Sequence, residues 1–344
     1  MNCPNLINPI RDTFGRPLHD LRISVIDRCN LRCNYCMPAE DSHKSYNFLK
    51  KPEWLTFAEI TRLAKIFISL GVVKLRLTGG EPLLRPGLPD LVRQLSALSG
   101  VEDLALTTNG ILLSELASEL QRAGLKRLTV SLDSLDDEIF RRMNGNKGHA
   151  SEVLAGIEAA QKAGFTPIKI NCVVQKGVND HTIIHLVRYC KKAGHILRLI
   201  EYMDVGNQNG WRLENVVPSR ELAEVIGRKI SLVRLNAHYR GEVALRYGFA
   251  DGSGEIGFIS SVTQPFCSTC NRARISTDGK LYTCLFGWKG TDLRKLLREG
   301  ASDIELRDII AQTWQKREDR YSELRSKLIQ NPHPPKIEMF QIGG

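Results

Sequence analysis

Short apolar strands alternate with amphipathic helices along residues 21–204. Six segments show strand-like alternation of apolar and polar positions, and helical periodicity fits between them. The predicted strands are residues 21–27, 74–78, 103–108, 127–133, 167–174 and 196–203. Six β-α repeats with short loops predict a parallel sheet, either open or curved into a partial barrel. Active sites in such folds lie at the C-terminal ends of the strands.

Two of the connecting segments carry clear helix signals. Thr56 opens a Thr-Phe-Ala-Glu capping box, and apolar residues follow at helical spacing as far as Phe67. Gly71 is the expected C-cap of this helix. A second helix is predicted from residue 180 to Gly194, with apolar residues along one face.

Beyond Gly206 the pattern changes. Residues 219–227 predict one helix, and residues 230–285 alternate between short strands and turns, which predicts antiparallel hairpins in a separate small unit. Residues 291–328 are charged and helical, whereas residues 331–335 are proline-rich and not helical. The predicted division is an N-terminal extension (1–20), a core (21–217), a C-terminal region (218–330) and a tail (331–344) that ends in Gly-Gly.

Alternation within the strands predicts which side chains point into a curved sheet. One set of alternate residues packs against the helices, and the other set points inward. Leu21 and Ile23 belong to the helix-facing set, so Arg22 points inward. The same count directs further polar residues inward from the other strands, namely Arg76, Thr107, Ser131, Lys169 and Arg198.

Inward cations on four strands require either internal carboxylates or a bound anion. Charged side chains are rarely fully buried unless they are paired, and an unpaired buried charge costs several kcal/mol. Glu81, Asp133 and Glu201 are possible internal partners, so salt bridges remain an alternative. Four strands together favour a polyanionic ligand such as a phosphate compound. A nucleic-acid groove would instead place cations and aromatic residues on an outer face, an arrangement that we do not find.

Composition narrows the class of protein. The 344 residues are 42% hydrophobic, which is enough for an ordinary core. No apolar run approaches the roughly 20 residues of a membrane helix, and the N-terminus has no apolar signal region, so we expect a cytoplasmic protein. Nine cysteines in such a chain indicate reduced thiols and metal binding. The net charge of +10 suits an anionic partner.

The first cysteine triad follows the first predicted strand. Cys29, Cys33 and Cys36 are spaced Cys-x3-Cys-x2-Cys. A 4Fe–4S cluster normally takes four thiolates, so three leave one iron open to another ligand, as an open position does at catalytic zinc. A structural zinc site or a disulfide loop is disfavoured because no fourth Cys or His lies close by.

The second cysteine triad lies in the C-terminal region. Cys267 and Cys270 form Cys-x2-Cys, and Cys284 follows fourteen residues later. This spacing alone fits zinc and an iron–sulfur cluster equally well. The lack of an adjacent fourth ligand favours a second cluster with an open iron. Arg272 and Arg274 alternate after Cys270, so both can project toward the same anion.

The first triad, with Tyr35 and Met37-Pro38, resembles the cysteine motif of the radical S-adenosylmethionine (SAM) superfamily. The second triad, the Asn-Arg-x-Arg that follows it and the terminal Gly-Gly narrow the resemblance to the GTP 3′,8-cyclases of molybdenum-cofactor biosynthesis. The resemblance covers residues 11–344. Further matching stretches are LTGGEP (77–82), LTTNG (106–110), VSLD (130–133), VQKGVN (174–179) and EYMDVGN (201–207).

The resemblance implies a fold, cofactors and site residues. The implied fold is an incomplete (βα)6 TIM-type barrel, the radical SAM core, followed by a C-terminal α+β region with an auxiliary cluster. Cys29, Cys33 and Cys36 would hold a 4Fe–4S cluster that binds SAM, and Cys267, Cys270 and Cys284 would hold a second 4Fe–4S cluster. The SAM site would include Tyr35, Gly80, Ser131 and Met203. The residues implied around GTP are Arg22, Arg76, Thr107, Lys169, Arg198, Arg272 and Arg274.

The resemblance also implies a reaction and partners. A radical from SAM would remove the 3′ hydrogen of GTP, and carbon–carbon closure onto C8 would lead to 3′,8-cyclo-7,8-dihydro-GTP. The implied partners are an electron donor of unknown identity and cyclic pyranopterin monophosphate synthase, which receives the product. No nucleic acid or membrane is expected, and the protein is expected to be a monomer or homodimer. The terminal glycines would reach the active site, since only glycine lets backbone approach so closely.

Two other functions remain open from the sequence. One is a radical SAM enzyme that modifies peptides or RNA and also uses auxiliary clusters. The other is a zinc or iron–sulfur protein that binds nucleic acid, which the positive charge suggests.

Overall fold

The computed structural model describes residues 9–38, 46–329 and 334–343. The strands in these ranges are β1 (Asp20–Ser24), β2 (Lys74–Thr78), β3 (Asp103–Thr108), β4 (Arg127–Ser131), β5 (Lys169–Val174), β6 (Ile196–Glu201), β7 (Leu232–Arg234), β8 (Leu245–Phe249), β9 (Glu255–Ile259), β10 (Arg272–Ile275), β11 (Lys280–Tyr282) and β12 (Thr291–Asp292). The helices are α1 (Phe57–Ser69), α2 (Leu88–Ser96), α3 (Leu113–Arg122), α4 (Asp137–Met143), α5 (Ala150–Lys162), α6 (Ile183–Ala193), α7 (Ser219–Gly227), α8 (Leu293–Arg298), α9 (Asp303–Gln315), α10 (Tyr321–Ile329) and α11 (Met339–Ile342).

The six predicted strands are present as β1 to β6. They lie side by side in chain order and are all parallel. Neither edge of this group pairs with the other, because β10 lies beside β1 and β9 lies beside β6. The barrel is therefore incomplete, as expected. Several strands end two or three residues before the predicted limit, where the chain turns away to form the loops of the site.

Within the described ranges, the strands of the C-terminal region pair as antiparallel hairpins and belong to the same sheet as β1 to β6. Strands β7, β8 and β9 form an antiparallel meander that joins β6 through a parallel pair. Strands β10, β11 and β12 join β1 in the same way at the opposite edge. The edges of a parallel sheet carry unpaired backbone N–H and C=O groups, and these strands satisfy them. The boundaries of the four segments themselves remain a prediction.

The predicted facing of the strands agrees with the burial of their side chains. Leu21, Ile23, Leu75 and Leu77 are at most 1% exposed and pack in one large core with the surrounding helices. Arg22 and the other inward cations occupy the opposite face, where they line cavities. Cys172 and Cys190 are buried in the core, so neither belongs to a metal triad.

The register places cations next to one another. Arg22 on β1 is paired with Arg76 on β2 and with Arg274 on β10. Neighbouring strands lie about 4.8 Å apart, so three guanidinium groups enter the interior side by side. This arrangement follows from two parallel pairings that both begin at Asp20.

Helix α1 begins at the predicted capping box. The Thr56 side chain accepts a hydrogen bond from the Glu59 N–H (3.2 Å), and the Glu59 carboxylate accepts one from the Thr56 N–H (2.7 Å). The helix ends before Gly71, whose φ of 106° favours glycine. The second predicted helix begins with a short 3₁₀ turn, continues as α6 and ends at Gly194 in the left-handed region.

Loss of the α1 cap tests this part of the fold. We expect Thr56→Ala to lower the free energy of unfolding by about 1 kcal/mol, because the Glu59 N–H loses its acceptor. Thr56→Ser keeps a hydroxyl and serves as the control. Reversible urea denaturation followed by circular dichroism measures both. Equal stability of the two variants would contradict a role for the cap.

Candidate active site

Two cavities occupy the interior of the sheet. The upper cavity, about 300 Å³, lies at the C-terminal ends of β1 to β6 and is lined by all six cysteines of the two triads. The lower cavity, about 290 Å³, lies at the N-terminal ends of the strands. Four arginines line both cavities, namely Arg22, Arg76, Arg198 and Arg272. The cations therefore lie between the cysteines and the lower cavity.

The structure brings the predicted site residues together. The upper cavity is lined by Tyr35, Gly80, Thr107, Ser131, Met203 and Arg274, in addition to the cysteines and the four shared arginines. Lys169 lines the lower cavity. Residues on or after β1 to β6, β9, β10 and β11 thus meet in one interior.

The loop of the first triad is held by backbone contacts. Cys36 N–H donates to the Cys33 carbonyl (3.0 Å), which closes a turn. Arg32 N–H donates to the carbonyl of Asn144, just beyond α4 (2.9 Å). Burial raises the pKa of the Cys29 thiol to about 11 and also raises that of Cys33. Burial thus disfavours the thiolate form of these groups, and metal binding would favour it.

The Gly79-Gly80 segment packs directly on this loop. Gly80 N–H donates to the Ile26 carbonyl (2.7 Å), and Glu81 N–H donates to the Arg28 carbonyl (2.8 Å). A Cβ atom on Gly80 would overlap the Arg28 carbonyl, and one on Gly79 would overlap the Ile26 carbonyl. Only glycine permits this approach.

Tyr35 is fixed by a residue from the end of β4. Its hydroxyl donates to the Asp133 carboxylate (2.7 Å), which also accepts from the Val173 N–H (2.8 Å). Burial raises the pKa of Asp133 to about 6 despite these hydrogen bonds. Asp133 thus orients Tyr35, a role that the sequence did not indicate.

The possible internal partners of the cations bind other groups. Glu81 accepts from the Thr108 hydroxyl and the Asn109 N–H, both at 2.7 Å. Glu201 accepts from the N–H groups of Ser219 (2.9 Å) and Val262 (2.8 Å). Within the described ranges, no carboxylate forms an ion pair with Arg22, Arg76, Lys169, Arg198, Arg272 or Arg274. The salt-bridge alternative is therefore not supported.

The interior carries uncompensated positive charge. Burial and then repulsion by Arg198 and Arg127 lower the pKa of Lys169 to about 7. Burial and then repulsion by Arg274 lower the pKa of Arg22. Arginine nevertheless stays protonated in proteins, so the interior retains a strong preference for an anion.

Several donors in the interior have no partner. Arg272 Nη1 and Arg274 Nε are buried and donate to no acceptor among the described residues. Arg76, in contrast, donates to the hydroxyls of Thr107 (2.8 Å) and Thr129 (3.1 Å). The Thr107 hydroxyl therefore holds the Arg76 guanidinium at the cavity. Arg272 and Arg274, in contrast, keep donors available for a ligand.

The second triad lies around the start of β10 and the end of β11. Cys270 N–H donates to the Cys267 carbonyl (3.1 Å), and Cys284 follows β11. Burial raises the pKa of Cys284 to about 12. Burial also acts to raise the pKa of Cys270, but Arg272 and then Arg317 outweigh it and lower the pKa to about 6.

The donor sets fit two iron–sulfur clusters better than they fit imidazole-rich sites. Six thiols and no histidine line the upper cavity among the described residues. No group of three or more His, Cys, Asp or Glu side chains in those ranges is arranged to hold a single metal ion. A cluster takes thiolates, and each triad supplies three.

The tail closes the upper cavity from outside. Gly343 contacts Thr78 so closely that a Cβ atom would overlap the Thr78 side chain, and Met339 lines the cavity. Asn207 donates to Glu338 through its side-chain amide (2.9 Å). Gly344 and residues 331–333 lie outside the described ranges, so the expectation for the last glycine is not tested.

Asp204 connects the tail to the C-terminal helices. Its buried carboxylate accepts from Arg325 (2.8 Å), from the Tyr321 hydroxyl and from Lys336 (3.2 Å). Arg325 and Tyr321 lie on α10, and Lys336 precedes α11. Asp204 directly follows Met203, so the connection lies beside the upper cavity.

Sequence comparison assigns the chain to known families. Residues 23–190 match the radical SAM superfamily, and residues 195–323 match Molybdenum Cofactor Synthesis C. A relative from Xanthomonas axonopodis pv. citri, named GTP 3′,8-cyclase, is 52% identical over 336 residues, 98% of this chain and 99% of the relative. One from Staphylococcus epidermidis with the same name is 47% identical over 337 residues, 97% and 99% of the two chains. The chain belongs to the GTP 3′,8-cyclase family.

Membership in this family confirms the predicted fold class, enzyme class and cofactors. Members are radical SAM enzymes with iron–sulfur clusters. A solved structure, Streptococcus suis SuiB, has a TM-score of 0.59 at 16% identity and covers 91% of this chain and 69% of its own. That likeness shows the fold alone. The roles of individual site residues stay predictions, which the shared cavities support.

Several residues that line the two cavities received no role from the sequence. Asn109 donates to Cys29 Sγ (3.9 Å) and to the Asn30 side chain (2.7 Å). Lys74 and Arg127 line the lower cavity. Both lie on the inward-facing side of their strands, as Arg76 and Thr129 do, so the alternation within the strands could have identified them.

No described helix has the length and apolar character required to cross a membrane.

Substitution of Gly80 tests the packing of the cysteine loop. We expect Gly80→Ala to destabilise the loop by about 1–3 kcal/mol through overlap with the Arg28 carbonyl. Iron and sulfide content after anaerobic reconstitution should fall. Gly227→Ala, at a site with open space, is the matched control. Equal iron content in both variants would contradict the packing argument.

Proposed function

We propose that this chain converts GTP to 3′,8-cyclo-7,8-dihydro-GTP, the first step of molybdenum-cofactor biosynthesis. The observation that carries the proposal is the pair of adjacent cavities: two cysteine triads line the upper one, and cations without a carboxylate partner line both. Membership in the GTP 3′,8-cyclase family supports the same reaction.

The first triad and its neighbours form the proposed SAM site. Cys29, Cys33 and Cys36 would hold a 4Fe–4S cluster, and Tyr35, Gly80, Ser131 and Met203 would contact SAM. When bound, the cluster and SAM supply a 5′-deoxyadenosyl radical, which removes a hydrogen atom. The protein contributes position: Asp133 fixes Tyr35, and the Gly79-Gly80 backbone supports the loop.

The cations form the proposed GTP site. Four cations surround the proposed position of the triphosphate, namely Arg22, Arg76, Lys169 and Arg198. A triphosphate carries about four negative charges, which would neutralise them. Arg272 and Arg274 offer free donors beside the second triad. Holding both ends of the nucleotide would fix C3′ toward the SAM site, and such orientation lowers the barrier to reaction.

The second triad would hold the auxiliary 4Fe–4S cluster. Three thiolates leave one iron without a protein ligand, a position at which the guanine would bind. Cys267, Cys270 and Cys284 line the upper cavity together with Arg274, so substrate held there is within the same enclosure.

The wider context is also part of the proposal. We expect a cytoplasmic enzyme that receives electrons from a separate donor and passes its product to cyclic pyranopterin monophosphate synthase. We expect it to act as a monomer or homodimer, without nucleic acid or membrane.

Anaerobic turnover tests the function directly. The reconstituted protein is incubated with dithionite, SAM and GTP deuterated at C3′. We expect deuterium to enter 5′-deoxyadenosine, together with a product of GTP's elemental composition, because the hydrogen lost is replaced by an electron and a proton. Formation of 5′-deoxyadenosine without deuterium or dependence on GTP would overturn the substrate assignment.

Arg272 provides a test of the anion site. We expect Arg272→Ala to raise the dissociation constant for GTP roughly 10- to 100-fold, since a hydrogen bond to a charged group contributes about 1.5–3 kcal/mol. Arg220→Ala, at an exposed helix position, is the control. Isothermal titration of the reconstituted protein measures both. Unchanged affinity with intact iron content would contradict the assigned role.

The lowered pKa of Lys169 should make GTP binding depend on pH. Its pKa near 7 in the free protein rises when a polyanion binds, because the ammonium form gains a partner. Binding therefore takes up a proton above pH 7, and affinity falls as the pH rises from about 7. Lys169→Arg stays charged and should lose this component. Titration of phosphate is common to both proteins, so identical pH profiles would contradict the prediction.

A further inference from the structure

A buried charge network lies behind the second cysteine triad. Arg16 and Arg317 have side chains that are 1% exposed, and the Asp12 side chain between them is fully buried. Asp12 accepts from Arg16 Nε (2.5 Å) and lies 3.4 Å from Arg317 Nη1. One carboxylate from the N-terminal segment thus fixes two guanidinium groups.

Both arginines contact the Cys267–Cys270 turn. Arg317 Nη1 donates to the Cys270 carbonyl (2.7 Å), and Nη2 donates to Cys270 Sγ (3.1 Å). Arg16 Nη1 donates to the Cys267 carbonyl (2.8 Å). The Arg317 guanidinium also lies 4.5 Å from the centre of the Trp314 ring. These contacts leave Arg317 little freedom to move away from the sulfur.

Cys29 in the first triad and Cys270 in the second differ in the charge of the hydrogen-bond donors to their sulfurs. In the described residues around the first triad, Cys29 Sγ accepts from two neutral donors, the Leu31 N–H (3.4 Å) and the Asn109 amide (3.9 Å). Cys270 Sγ instead accepts from a cation at shorter distance. Charge-assisted hydrogen bonds are roughly twice as strong as neutral ones.

We propose that Arg317 raises the reduction potential of the cluster held by the second triad, with Asp12 and Trp314 holding its guanidinium toward Cys270 Sγ. This inference rests on one part of the proposed function, namely that the second triad holds a cluster. Hydrogen bonds to the sulfurs and net charge set cluster potentials. A reduced cluster is one charge more negative than the oxidised one, so a donating cation stabilises it. Arg317 is a positioning residue, since it contacts a cluster ligand and not the reacting atoms.

Two carboxylates near Arg317 do not separate its guanidinium from Cys270 Sγ. Asp12 is shared with Arg16, and Asp319 faces Arg317 Nε (3.3 Å) with a side chain that is 32% exposed. Neither carboxylate lies between the guanidinium and the sulfur, because Nη2 donates directly to Sγ. The buried N–H group is therefore the nearest positive end of the network to Cys270.

An electrochemical measurement separates this proposal from turnover. The full chain carrying Cys29→Ala, Cys33→Ala and Cys36→Ala retains one cluster site. In it, Arg317→Met, Arg317→Gln and Arg317→Lys are compared by anaerobic redox titration followed by electron paramagnetic resonance. Arg320→Met is the matched control: Arg320 lies three residues on, is 46% exposed and pairs with Glu323. Iron and sulfide are counted in every sample.

Both neutral variants should shift the potential to more negative values. We expect the ratio of reduced to oxidised cluster, at the midpoint of the unsubstituted protein, to fall about tenfold, which is about 59 mV for a one-electron couple. Arg317→Lys keeps the positive charge but lacks the planar, rigid guanidinium, so its potential should shift less. Arg320→Met should not shift the potential.

Each contrary result overturns the proposal. An unchanged potential in either neutral variant with full iron content excludes tuning by Arg317. A second contrary result is loss of iron in both neutral variants, combined in Arg317→Lys with either an unchanged potential or loss of iron. That result would mean that Arg317 only holds the turn in place. Because no nucleotide is present, failure to convert GTP would leave this measurement unaffected.

Discussion

Repulsion among side-by-side cations is the constraint on which this interior depends. The parallel pairings of β1 place Arg22 between Arg76 and Arg274. Two unit charges about 5 Å apart repel by about 3 kcal/mol at an effective dielectric constant of about 20. No described carboxylate pairs with them, so the packed outer face of the sheet must offset this cost. A triphosphate would remove much of it, which couples substrate binding to relief of repulsion within the fold.

The same pairings unite two tasks in one strand. Strand β10 satisfies the open edge of β1 and carries Arg272 and Arg274 directly after Cys270. Closing the sheet edge therefore also places the second triad against the cation row. A C-terminal region folded apart from the core would lose this connection. The incomplete barrel accordingly needs its C-terminal strands for the site as well as for stability.

The features that depend on short stretches of sequence were predicted correctly from the order of apolar and polar residues. Alternation of Leu21, Arg22 and Ile23 was sufficient to assign inward cations, and the Thr56 box was sufficient to place α1. The pattern failed where partners come from distant segments. Asp12 and Arg317 are 305 positions apart, and nothing near either residue indicates their contact. The joining of β9 and β10 to opposite sheet edges was missed because turn signals define hairpins but not the sheet that receives them.

The upper cavity depends on enclosure as well as on charge. Radical chemistry and strong electrostatic binding both favour a site from which water is excluded, yet an incomplete barrel is open on one side. Gly343 approaches Thr78, and the buried Asp204 ties α10 and Lys336 to the loop after Met203. The tail is therefore connected to the proposed SAM contact and to the helix beyond the second triad. The buried Asp204 carboxylate thus joins three segments beside the upper cavity: helix α10, the residues before α11 and the loop after Met203.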